Sequence, residues 1–560
     1  MEAYHNEKNR AHTNVVNSTC KDGVQARIAP SYVYVVSSKE ESGTQAMSQA
    51  LAKHIKTAEG NDSYAPALAY TLAERRSRFP YTAAVRARSL DQLAARFEDP
   101  HIRIRKATTD RCRVGFVFNG QGGQWHAMGR GLINTYPKYR EAMQRADRIL
   151  QHRYSASWSL MEEMMRDEAT SRIHEISLSP VISVALQLCL VDLLRAWNCF
   201  PSAVVSHSSG EIAAAYAACV VSFEEALGIA YHRGQLSEKY QNIHALHGGM
   251  LAVRLGVEEV EEYIAEVPEA ADDRVVIACI NSPSSVTLSG DMDVLLKIAT
   301  LLEDDAVVFR KLNVGCAYHS SHMLHMAADY EAAIKLVLSS PTSSDGRVAQ
   351  VPFASPVTGN IVSDAFLPNH WVRNLTNPVL FSQALQSMVD QCHIDVLLEV
   401  GPQATLSGPI RQTLRESTPQ YLSCLRQSIE AVDSMQDVAC GLVMAGYPLI
   451  LDQVNLIPKH QRMHLPDMPS YAWNHRSRYL LEPRTAADHR HPKFPSHELL
   501  GLLVPGCNPL QPTFRNILRA EDVPWLADHQ LQLETVLPAA GYVSMAIEAL
   551  YFVNHAAGCR

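Results

Sequence analysis

Among the 12 cysteines no two stand as C-x-x-C, and their scatter forms neither a zinc pattern nor a disulfide framework. That usage suits a reducing compartment, so a cytoplasmic location is expected. A basic excess is missing too. Lys+Arg number 50 against 58 Asp+Glu, for a net charge of −8 and a pI near 6.3. This excludes a general phosphate-backbone binder, and no nucleic-acid partner is expected. A local basic patch for an acidic partner protein stays open. The polar N-terminus (Glu2, His5, Asn6, Glu7, Lys8, Asn9, Arg10) has no apolar signal-peptide core. The longest uncharged apolar stretch, Ile176 to Val191, is too short to span a bilayer and reads as a buried helix, so no membrane partner is expected.

The chain has 560 residues, 47% hydrophobic and 19% charged, which is too much for one core and enough for three or four domains. Residues 1–30 read as a disordered lead-in. Strand candidates at Tyr32–Val36 and Phe79–Ala87 alternate with helix candidates at Gly43–Lys56, Tyr64–Ala73 and Leu90–Arg96, a small α/β module spanning 31–110. A main α/β domain, 111–430, opens with the strand Val114–Phe118. Ser179-Pro180 reads as N-cap and first position of an all-apolar helix to about Trp197. Within 246–314 the pattern changes to β-α-β-β-α-β, the ferredoxin-like arrangement, and such an insert makes a cleft where it joins the larger domain. Residues 431–490 read as a helix to Met444 followed by linker, and Leu465–Trp473 reads as an extended strip packed on another domain. The Arg/His/Pro-rich 484–496 looks like a boundary. Residues 491–560 carry strand-like runs and an apolar helix, Ala540–Phe552, too little for a complete domain.

One segment carries chemistry. Ala203-Val204-Val205 leads into Ser206-His207-Ser208-Ser209-Gly210, and a helix-forming run starts at Glu211. This strand–turn–helix has the layout of a nucleophile elbow, with Ser208 projecting from the bend and the helix start able to hold an oxyanion. An ordinary βα turn is the competing reading. The turn Asn119-Gly120-Gln121-Gly122-Gly123-Gln124-Trp125 is neither G-x-G-x-x-G nor a P-loop, so it reads as a source of backbone donors. A serine nucleophile needs a base. Among 24 histidines His319, in Cys316-Ala317-Tyr318-His319, is best placed, just past the insert's last strand; His207 and His322 are its rivals. No acid is clearly placed for a triad, which leaves a dyad with a backbone carbonyl orienting His319. Arg233, 25 residues after Ser208, would line the same cleft. Its planar fork matches a carboxylate, with a structural salt bridge as the alternative.

Gly120-Gln121-Gly122-Gly123-Gln124-Trp125, His207-Ser208-Ser209-Gly210-Glu211, Arg233, Ala317-Tyr318-His319-Ser320 and Glu399-Val400-Gly401-Pro402 occur in that order. With them the chain resembles, over roughly residues 30–560, the malonyl-CoA:acyl-carrier-protein acyltransferase domains of polyketide and fatty acid synthases, and best those of the iterative highly reducing polyketide synthases of fungi. The resemblance implies an α/β acyltransferase fold with an α/β-hydrolase-like core and an inserted ferredoxin-like subdomain. Residues 31–110 would be the ketosynthase–acyltransferase linker module, 111–430 the acyltransferase, 431–490 the linker after it, and 491–560 the start of a dehydratase hot-dog domain. It further implies Ser208 as nucleophile, His319 as general base, the Gln121 and Ser209 N–H groups as oxyanion hole, and Arg233 as partner of the malonyl carboxylate. Malonyl-CoA would be the substrate. An acyl carrier protein bearing phosphopantetheine would accept the acyl group, and a ketosynthase and further synthase domains would be partners. No cofactor or metal bound by the chain itself is expected.

In the tail the dehydratase motif H-x-x-x-G-x-x-x-x-P falls on His529 and Pro538, with Leu533 at the glycine position. The family's second dehydratase residue would lie beyond Arg560, so this chain alone is expected not to dehydrate. Two departures touch the acyltransferase. Ser206 replaces the first elbow glycine, where it either strains the turn or is tolerated by it, and Ser179 stands where the family usually has glutamine. With no ketosynthase or carrier segment, the chain is expected to be a megasynthase fragment or a truncated product. A stand-alone serine hydrolase and an inactive remnant are the alternative functions.

Overall fold

In a computed structural model the described residues are 30–57, 63–107, 111–244, 247–312, 314–339, 348–363, 366–477, 481–492, 494–508 and 510–556. The expected lead-in lies outside them apart from Pro30. Contacts divide the chain into two units, one up to Ala472 and one from Trp473.

The first unit begins with a small module. Its strands β1 (Tyr32–Ser38), β2 (Tyr81–Ala87) and β3 (Arg105–Lys106) form an antiparallel sheet in the order β1-β2-β3. The helix Glu41–Thr57 turns Met47, Leu51 and Ile55 inward at helical spacing. The helix Leu90–Glu98 starts at Ser89, whose side chain accepts from the Gln92 N–H. Part of this module comes from the far end of the chain. β1 is an edge strand, and the Asn455 amide behaves as its missing neighbour: Oδ1 accepts from Val33 N–H at 2.7 Å and Nδ2 donates to Val33 C=O at 3.0 Å. Ile457 and Met468 enter the module's core, and Tyr471 accepts from Lys39 N–H. The strip therefore packs on the first module as far as Ala472. The helix Ala431–Met444, assigned to the head of a linker, is buried on nearly every side. Its apolar faces make it part of the main core rather than a connector.

The main domain supplies β4 (Val114–Phe118) and β5 (Ala203–Ser206). The insert contributes β6 (Gly248–Val253), β7 (Val275–Ser282), β8 (Ser285–Asp291) and β9 (Phe309–Lys311). After it come β10 (Phe353–Ser355), β11 (Asn360–Val362), β12 (Val396–Val400) and β13 (Gln420–Ser423). The central sheet runs β11-β10-β5-β4-β12-β13, parallel except for the edge strand β11. Every residue of β4, β5 and β12 is buried, as a parallel sheet covered by helices on both faces requires. The helix Ser179–Ala196 is the one described helix long and apolar enough to cross a membrane, and here it fills the main core. Leu178, not Ser179, is its cap, because a turn from Glu175 already takes the Ser179 N–H.

The insert is an antiparallel sheet in the order β7-β8-β6-β9, which is the strand order of a ferredoxin-like fold. Two helices, Val257–Ala265 and Met292–Asp304, belong to it, and it has its own core around Val253, Val286, Leu288 and Ile298. It joins the main domain through Ile280 N–H to Val379 C=O and Val379 N–H to Ala278 C=O. The carboxyl ends of β4 and β5 open toward this junction, where α/β sheets bind ligands.

The second unit holds a short helix, Arg484–Arg490, two small hairpins and the helix Ala539–Ala556. The expected boundary at 484–496 falls inside it. The second unit begins at Trp473, earlier than composition indicated. His529 holds its ring through Nδ1–H to the Val536 carbonyl at 2.8 Å. Between the paired Leu531 and Glu534, Gln532 and Leu533 both have positive φ (51° and 71°), a type I′-like turn. Leu533 thus occupies the backbone region that glycine enters without a Cβ penalty, at the position where the motif carries glycine.

Candidate active site

Ser208 leaves β5 in the left-handed region, φ 51°. A 3-10 turn, Ser208–Gly210, then feeds the helix Glu211–Ala217. Backbone strain at the bend residue is the mark of an elbow. It sits two residues after Ser206, which has an ordinary strand backbone paired with Phe118 and a buried, unpartnered Oγ. Of the two outcomes left open at Ser206, the structure shows tolerance: the turn bends later, at Ser208. Two glycines allow the elbow to meet the neighbouring turn. A Cβ on Gly210 would lie 2.5 Å from the Asn119 carbonyl oxygen and 2.7 Å from that of Phe118; one on Gly120 would lie 2.9 Å from the His207 oxygen. These are backbone obstacles that cannot move aside cheaply. Gly210→Ala is expected to destabilise the fold by about 1–3 kcal/mol and to disable the site, which a thermal melt and an acyl-loading assay would register together. The same packing sets the Gln121 turn beside Ser208, and among the described residues no hydrogen bond takes the N–H of Gln121 or Ser209.

His319 also has positive φ, 62°. Its Nδ1 lies 3.0 Å from the Asn377 carbonyl, which can only accept, so Nδ1 carries the proton. Nε2 is left to accept from Ser208 Oγ at 2.6 Å. This is a dyad oriented by a backbone carbonyl. The rival histidines are engaged elsewhere. His207 Nε2–H donates to Asn281 Oδ1 at 2.8 Å, and His322 pairs with Asp291 at 2.7 Å. Burial, helped by the charges of Arg233 and His207, pushes His319 down from 6.5 to about 3. It is neutral, and therefore a base, across the ordinary range. Acyl loading is expected to show no inflection between about pH 5 and 8, measured as single-turnover rates against pH. Because the folded value lies below the unfolded one, the unfolded chain binds this proton first. The group's contribution to stability is present above about 6.5 and is lost as pH falls toward about 3.

Arg233 is 1% exposed. Its Nη1 donates to Asn374 Oδ1 at 2.7 Å, its guanidinium lies 5.6 Å from the Tyr318 ring centre, and its Nε has no partner. No carboxylate among the described residues forms an ion pair with it, so the salt-bridge alternative fails. Ser179, in the family's glutamine position, accepts from Gln121 Nε2 at 3.2 Å. Gln121, Ser208, Ser209, Arg233 and His319 thus gather at one end of the central sheet. His529 belongs to the other unit.

Residues that the sequence reading gave no role complete the site. Asn377 orients His319, and Asn374 joins Arg233 to the elbow. Glu399 and Gln187 secure Asn119, the root of the Gln121 turn, by accepting from its Nδ2 and donating to its carbonyl. The available signal for Asn374 was an amide among the buried Trp371 and Leu375 of one helix.

The acyl transferase domain family matches residues 115–438. The chain belongs to this family. The polyketide synthase dehydratase domain matches residues 497–558, so the tail of the acyltransferase chain fits part of a hot-dog fold. The acyltransferase is 50% identical over 550 residues to highly reducing polyketide synthase pks5 of Leptosphaeria maculans, covering 95% of this chain and 21% of that one. It is 39% identical over 545 residues to lovastatin diketide synthase mokB of Monascus pilosus, covering 93% and 21%. The chain therefore spans about a fifth of the length of these fungal relatives. Among solved structures, the acyltransferase domain from module 8 of the salinomycin polyketide synthase superposes with a TM-score of 0.65 at 25% identity, over 76% of this chain and 98% of that one. The acyl transferase domain of ZmaA shares the fold, with a TM-score of 0.68 at 22% identity over 80% and 100%.

Proposed function

We propose that this acyltransferase loads malonyl units from malonyl-CoA onto the phosphopantetheine thiol of an acyl carrier protein, within a polyketide synthase whose ketosynthase and other domains are its partners. The observation that carries the reading is the 2.6 Å contact between Ser208 Oγ and a neutral His319 Nε2, beside a buried arginine with no carboxylate of its own. Nε2 takes the Ser208 proton as Oγ attacks the thioester carbonyl. The Gln121 and Ser209 N–H groups receive the oxyanion; one such donor is worth about 10²–10³-fold in rate. Collapse breaks the C–S bond, and the His319 proton leaves on CoA sulfur. The carrier thiol then repeats the sequence in reverse and frees Ser208. Arg233 binds the acyl carboxylate through its planar fork.

The test is an intact mass of the chain after malonyl-CoA, followed by addition of a phosphopantetheinylated carrier protein. A malonyl increment that moves to the carrier is expected. No increment in a folded chain favours the inactive remnant. An increment lost to water at the same rate with and without carrier favours a serine hydrolase.

A further inference from the structure

Arg233 is not the only buried charge behind the elbow. Glu211, the first residue of the helix after the turn, is 0% exposed. Both hydrogen-bond to Asn374, yet no ion pair joins them. Here an amide stands between them. Asn374 Oδ1 accepts from Arg233 Nη1 at 2.7 Å, while Asn374 Nδ2 donates to Glu211 Oε2 at 2.6 Å and to the Ser208 carbonyl at 3.0 Å. Only this orientation of the amide works. Reversed, its NH₂ would face the guanidinium and its oxygen would face both the carboxylate and a carbonyl.

The two ions differ in what they have left. Glu211 has a donor at each oxygen: besides Asn374 on Oε2, Oε1 accepts from Ser355 Oγ at 2.5 Å, and His370 Nε2 lies 3.2 Å from Oε1. Arg233 has Asn374 and Tyr330 as polar neighbours and no carboxylate among the described residues, and its Nε is bare and buried. We infer that Asn374 is a positioning residue that holds Arg233 and Glu211 apart, keeping the guanidinium open for a carboxylate on the incoming acyl group. The inference rests on the reading of Arg233 as the acyl-carboxylate partner. Glu211 balances the buried cation through the amide without occupying it. The third bond, to the Ser208 carbonyl, ties the same amide to the nucleophile's turn. Any general damage to that turn affects every acyl group alike, whereas closure of Arg233 affects only acyl groups that carry a carboxylate.

The experiment compares single-turnover loading from malonyl-CoA and acetyl-CoA. With Asn374→Ala the guanidinium is released onto Glu211, and the malonyl-to-acetyl ratio is expected to fall by about 30-fold or more, the scale of losing one buried charge pair. Asn374→Ala/Glu211→Gln removes the competitor and is expected to recover most of that ratio. Should the alanine variants fail to fold, Asn374→Asp retains the shape but sets a carboxylate on Arg233, and the same fall is expected. Loss of malonyl and acetyl loading in equal measure, or a double variant no better than Asn374→Ala, would overturn the inference. Arg233→Ala in parallel separates the two levels. If it leaves the ratio unchanged, the reading of Arg233 itself fails. If it lowers the ratio while the Asn374 variants do not, only the inference about Asn374 fails.

Discussion

Ser208→Ala is expected to take up no mass from malonyl-CoA and to lose transfer to a carrier by about 10⁴-fold or more, the range for removing a catalytic nucleophile. The expectation rests on three features that converge on one atom. The serine occupies a strained backbone at the carboxyl end of β5. Its hydroxyl has one partner, the Nε2 of a histidine that must be unprotonated there. The neighbouring N–H groups of Gln121 and Ser209 have no protein acceptor among the described residues. Alanine keeps the Cβ and leaves the strained φ as it was, so the melting temperature should change little. Activity and stability therefore separate in this one variant. Continued labelling of Ser208→Ala by malonyl-CoA would move the acyl group to another side chain and sink the assignment.

Arg233→Ala is expected to lower malonyl loading by about 30- to 1000-fold, the equivalent of ~2–4 kcal/mol for losing a buried charged partner. Acetyl loading should change only severalfold. An acetyl group offers the guanidinium nothing to bind, so it gains little from Arg233 and loses little without it. The variant also leaves Glu211 buried without its cation and should melt earlier. Comparison of the two acyl groups on the same protein cancels that loss. Equal falls for malonyl and acetyl would make Arg233 structural.

The elbow was legible because it is local. An apolar strand, a small-residue turn and a helix lie between Ala203 and Ala217, and each has a period or composition of its own. The insert was legible for the same reason, since its alternation of strands and helices carries the ferredoxin-like order without long-range information. The dyad was readable only in part. Ser208 and His319 are 111 residues apart and Arg233 and Asn374 141 apart, and no local pattern encodes which buried amide meets which charge. Whether Ser206 strains the turn was not readable from the missing glycine alone, because the sharp φ belongs to Ser208. The helix Ala431–Met444 was legible as a helix but not as part of the main core, because local sequence does not encode which core an apolar helix joins.

The first module borrows its closing pieces from residues 455–472, and this sets a clock on biogenesis. Val33 leaves the ribosome 422 residues before Asn455, the side chain that completes its edge. At about 5–20 residues per second that interval lasts roughly 20–85 s. Throughout it β1 presents an unpaired edge and a core without Ile457 and Met468. The first module is thus completed only after the acyltransferase behind it has been made, and a chain cut short of residue 455 lacks the side chain that caps that edge.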